Sequence, residues 1–109
     1  MSVFVKSLKT FESDITGEVK EYRINNAVWL FMKSKFGLTQ TEWAMQYQDE
    51  EAINGARFVT CVLNANGLEV TEKEVLENTD VIEIQMFVND YQMKMMPKPK
   101  EPEGKAEGK

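Results

Sequence analysis

Few side chains in this chain have the types and spacing to make or break bonds. Histidine, the usual proton-transfer group near neutral pH, is absent, which excludes the catalytic triads that depend on it. The single cysteine, Cys61, stands in the apolar run from Phe58 to Leu63. It can form no intrachain disulfide, and its thiol reads as core packing in a reducing, intracellular setting. One cysteine without histidine cannot build a structural zinc site from this chain alone. The densest carboxylates, Asp49-Glu50-Glu51 and Glu72 with Glu74, lack the spacing and central glycine of a calcium loop. They read instead as first-turn acids facing helix dipoles. The sequence contains no GxGxxG run, phosphate-loop lysine or nucleophile elbow. No catalytic, cofactor-binding or metal-binding residue is therefore expected, and the chain is not expected to be an enzyme.

Composition narrows the remaining classes. With 109 residues, 42% of them hydrophobic, the chain is long enough for one domain with its own core and short enough to gain from oligomerisation. Eighteen acidic against thirteen basic residues give a net charge of -5, which opposes binding to a phosphate backbone or an anionic lipid surface. Neither nucleic acid nor membrane is an expected partner. No stretch approaches the roughly 20 apolar residues of a membrane span. The opening MSVFVKSLK also lacks the long apolar region of a secretion signal, so a cytoplasmic protein is expected.

The elements can be placed from periodicity and turn chemistry. Val3, Phe4, Val5, Leu8 and Phe11 favour a first strand, and Val19 to Ile24 alternates as a second, with Lys20, Tyr22 and Ile24 on one side. Asp14-Ile15-Thr16-Gly17-Glu18 between them supplies turn residues, which predicts a β-hairpin. Asn25 or Asn26 caps a helix over Ala27 to Phe36 in which Val28, Phe31, Met32 and Phe36 or Lys35 share a face, and Gly37 stops it. Thr41 is a possible cap for the next helix, which carries Trp43, Met45 and Tyr47 and either breaks near Gln48 or runs on. Trp29 and Trp43 read as core or inter-helix residues.

The middle of the chain is the best defined. Ala52, Ala56, Val59 and Leu63, widened by Ile53 and Val62, form one apolar face of a central helix. Asn66 and Gly67 end it, with Gly67 free to take a positive φ. Thr71 and Glu74 then have capping-box spacing for a short helix from Glu72 to Glu77. Asn78-Thr79-Asp80 offers caps for a last helix, in which Val81, Ile84, Val88, Tyr91 and Met95 recur as a core-facing stripe. The run VIEIQMFV also alternates like a strand, but its length through Met96 favours a helix. This helix is apolar beyond one face, so Met86, Phe87, Met93 and Met96 are expected to form a second, partner-binding surface, methionine being common on adaptable interfaces. From Pro97 the sequence PKPKEPEGKAEGK has no large apolar side chain and is expected to stay disordered. The fold class is α+β: residues 1–96 form one domain, an N-terminal β-hairpin followed by a bundle of four to five helices, and residues 97–109 form a tail.

In this order the elements resemble the tail assembly chaperones of long-tailed bacteriophages. The likeness covers Val19 to about Met96. It rests on the TGE-type hairpin turn, the NNAVWLFMKSKFG helix, the run FVTCVLNANGLEVTEKEV and an apolar helix before a Pro-Lys tail. Its most telling part is the passage from the central helix through Ala65-Asn66-Gly67-Leu68 into TEKEV. The resemblance implies a chain that oligomerises and coats the tape measure protein until the tail tube polymerises around it. It further implies that a frameshifted longer form engages the tail tube protein, with residues 97–109 as the linker. No site residue is carried over from the family. The alternative is a small adaptor or regulatory module, of phage or bacterial origin, acting through its last helix.

Overall fold

The computed structural model describes residues 8–96. The expected strand residues Val3, Phe4 and Val5 and the tail from Pro97 lie outside them. Strands β1 (Thr10–Ser13) and β2 (Lys20–Arg23) pair antiparallel, with Phe11 opposite Tyr22. The Asp14 carbonyl accepts from the Gly17 N–H at 2.8 Å, and Gly17 turns the chain with φ 100°. Alternation puts Phe11, Tyr22 and Ile24 on the buried side and leaves Val19 outside. Leu8, expected within the first strand, precedes β1 and is exposed.

Five helices follow: α1 (Ala27–Phe36), α2 (Gln40–Asp49), α3 (Glu51–Ala65), α4 (Glu72–Asn78) and α5 (Val81–Met95). The fold is thus α+β, as the periodicity indicates. Of the two candidate caps of α1, the Asn25 side chain accepts from the Ala27 N–H at 3.0 Å. Gly37, at φ 70°, closes that helix by donating to the Lys33 carbonyl. Helix α2 starts from Thr39, not Thr41. The Thr39 hydroxyl accepts from the Glu42 N–H at 3.1 Å while the Glu42 carboxylate accepts from the Thr39 N–H at 2.9 Å. These bonds hold the Glu42 carboxyl below its ordinary range. Helix α2 runs to Asp49 and breaks at Glu50, where φ is -146° and ψ 88°. Asp49 therefore closes one helix instead of opening the next, and only Glu51 of that acidic triplet lies in a first turn.

Helix α3 is the centre of the structure. It packs against α1, α2, α4 and α5, and every residue from Asn54 to Leu63 except Arg57 is buried. A helix packed on several sides buries more than one stripe, which is why Phe58, Thr60 and Cys61, off the expected stripe, are as enclosed as Val59. Ala52 and Ile53, expected on the core side, lie in the first turn and are exposed. Gly67 ends α3 at φ 88°, and the Leu68 N–H returns to the Leu63 carbonyl at 2.9 Å. At α4 the Thr71 hydroxyl accepts from the Glu74 N–H at 3.1 Å. Among the described residues that is the only half of the expected capping box to form.

An aromatic chain joins the hairpin to the helices. Phe11 meets Phe87 edge-on at 5.2 Å, Tyr91 meets Phe58 at 4.7 Å, and Phe58 stacks on Trp43 at 4.9 Å. Such contacts add to the free energy of burying the rings themselves. Among the described residues no helix is long and apolar enough to cross a membrane.

Candidate functional site

The carboxylates of Glu51 and Glu72 are used locally. Glu51 accepts a hydrogen bond from the Gln85 amide, tying the start of α3 to α5. Glu72 pairs with Arg57 at 3.1 Å, and that guanidinium also lies 5.2 Å from the centre of the Phe36 ring. Among the described residues no three acidic or cysteine side chains converge as metal ligands. Cys61 is wholly buried, and burial pushes its thiol up to about 12.

The outer face of α5 is different. Asp80 starts this helix through a reciprocal cap: its carboxylate accepts from the Glu83 N–H at 2.8 Å, and Glu83 accepts from the Asp80 N–H at 3.0 Å. At 3.6 residues per turn Ile84, Phe87, Val88 and Tyr91 fall on one side, and all four are buried against α3 and the hairpin. Directly opposite run Ile82, Met86, Asn89, Met93 and Met96, at intervals of four, three, four and three, within about 40° of one line along the helix. Ile82 is 58% exposed, Met86 61%, Met93 64% and Met96 62%.

The structure leaves Met86, Met93 and Met96 exposed, with Met96 also lining an open cleft beside Trp29 and Tyr91, and removes Phe87 from the expected surface. Phe87 is 1% exposed and packs on Phe11 and Tyr22, so it is a core residue. Its place is taken by Ile82, whose spacing of four before Met86 was the available signal. Two residues expected in the core are exposed instead. Val81 stands in the first turn about 70° round from the middle of the buried face. Met95 lies on the buried side but at the rim of an open cleft of about 320 Å³ walled by Trp29, Trp43, Phe58 and Tyr91.

This chain matches no known protein family, curated protein or solved structure. The outer stripe of α5 is thus the feature on which a functional reading turns. It is an apolar line, interrupted by Asn89, at the repeat of a helix seam, on a helix whose other side is buried in the core. Side chains of this kind recognise protein, above all the apolar face of another helix.

Proposed function

We propose that the chain is a non-enzymatic tail assembly chaperone that forms homo-oligomers and coats the tape measure protein during bacteriophage tail assembly in the host cytoplasm. The observation that carries this reading is the exposed stripe of Ile82, Met86, Met93 and Met96 opposite the core face of α5. A chaperone that must hold many turns of a long helical client needs a surface whose side chains repack without strain. Unbranched methionine provides that. The acidic charge of the chain accords with a protein client and against a nucleic acid. In a frameshifted longer form, residues 97–109 would link this domain to a part that engages the tail tube protein.

The test is co-expression with the tape measure protein of the same genome. Co-purification of the two, with the chain sedimenting as more than a monomer, supports the reading. A folded chain that captures no tape measure protein, encoded among regulatory genes instead of between the tail tube and tape measure genes, would overturn it in favour of the adaptor.

A further inference from the structure

A second apolar surface lies beside the α5 stripe, between that helix and the hairpin. Ile15, Val19, Met86 and Phe87 form its floor, in a groove of about 250 Å³. Val19, on the outward side of the hairpin, is 70% exposed. Both walls are acidic: Glu12 and Asp14 stand on the hairpin side, Glu83 and Asp90 on the helix side, and the lining contains neither lysine nor arginine. The ion pairs among the described residues, Lys20 with Glu18, Arg57 with Glu72 and Lys73 with Glu77, use none of these four. Glu12 also sits directly opposite Glu21 in the hairpin register, and like charges across a strand pair destabilise it. Glu83 is held by the cap of α5, whereas Glu12, Asp14 and Asp90 make no ion pair among the described residues.

We infer that this groove is a docking site for a cationic amphipathic helix, one that lowers an apolar side chain onto Val19 and Met86 while lysines or arginines on its flanks meet the two acidic walls. Charge selects this occupant. A second copy of the chain would bring a net charge of -5 and the same four carboxylates to the groove, and a nucleic acid would be repelled likewise. Geometry selects a helix over an extended strand. Glu83 and Asp90 are seven residues apart on α5, about 10 Å, which is the repeat at which a second helix lying alongside presents one flank. The inference rests on the proposed function only in taking the partner to be helical protein. It adds which part of that partner is held and by what chemistry.

The test uses the full chain and a synthetic, fluorescently labelled helix with leucine along one face and lysine elsewhere, beside the same peptide with glutamate for lysine. The lysine peptide is expected to bind, more weakly as salt rises, and the glutamate peptide not to bind. Glu12→Gln with Asp90→Asn should weaken binding about tenfold, two exposed ion pairs being the size of effect removed. Val19→Ser, outside the α5 stripe, should also weaken it, at unchanged salt dependence. Glu69→Gln with Glu74→Gln, away from the groove, should leave it unchanged. Equal losses from both acidic pairs would reduce the effect to overall charge and overturn the proposal. So would groove variants that alter sedimentation but not peptide binding, since a second copy would then be the occupant. If the groove variants keep both peptide binding and capture of the tape measure protein, the groove falls and the chaperone reading stands. Peptide binding lost on groove substitution supports the groove even where no tape measure protein is captured.

Discussion

Cys61 is enclosed on α3, and burial raises its thiol from an ordinary 9.0 to about 12. The folded chain therefore keeps a proton that the unfolded chain releases as pH passes about 9. Stability from this source is complete below that value and is lost as pH climbs toward 12. The phenols of Tyr22, Tyr47 and Tyr91, each raised by burial, act in the same direction. The urea midpoint should be flat with pH up to about 9 and then fall, and Cys61→Ala should make the first part of that fall shallower. The native thiol should resist a thiol reagent until the chain unfolds. Asn54 is the other buried residue whose chemistry matters. Its side-chain amide donates to the Gln46 and Glu50 carbonyls at 3.0 and 3.1 Å, while its backbone carbonyl, kept in any substitution, accepts from the Trp43 indole at 2.8 Å. It thus fastens the α2–α3 corner. Asn54→Ala should cost roughly 1–3 kcal/mol in urea denaturation, and Asn54→Asp more, since a carboxylate would face the two carbonyl oxygens with no proton to offer.

The elements pack closely where α3 meets α5. A Cβ at Gly55 would collide with the Ile84 methyl and come within 3.3 Å of the Tyr47 ring. Gly55→Ala gains about 1 kcal/mol in helix propensity but must displace a β-branched side chain that is itself buried. A net loss of roughly 1–2 kcal/mol is expected by thermal or urea melting, and a stabilised variant would show that α5 can move away freely. Much of this architecture was legible in advance, because the hairpin turn, Gly37, Gly67 and the Asp80 cap are local signals that name their own conformation. The rest depended on distant partners. Thr39 and Glu42 form a four-residue signature that could have been read, whereas the bonds from Asn66 to the Arg23 backbone, at 2.7 and 3.2 Å, join residues 43 apart and could not. Phe87 misled for a related reason: an apolar residue beside a stripe reads as surplus until Phe11 is seen to cross the helix at that point. The exposure of Met86, Met93 and Met96 was legible because they lie off the core stripe of α5. The acidic walls of the groove have no signature in the sequence, because hairpin and helix come together only in the fold.

For the molecule as a whole, the outer stripe of α5 predicts a separation of stability from assembly. Met93→Ser with Met96→Ser removes exposed apolar surface, so the melting temperature of the protomer should change little, within about 0.5 kcal/mol of stability. Sedimentation should shift toward a smaller species and capture of the tape measure protein should fall. Unchanged assembly and capture in a folded variant would remove the stripe from the functional reading. Phe87→Ser should do the opposite and unfold the domain, because it opens the aromatic chain between hairpin and helices. The enclosure of α3 sets how the native state opens. Its amides from Phe58 to Leu63 are covered on several sides at once, so no single neighbour can swing away and expose them all to solvent. Their hydrogen exchange should proceed only through complete unfolding and report the global free energy. Helix α4, which buries only Val75, should exchange through a separate and cheaper opening.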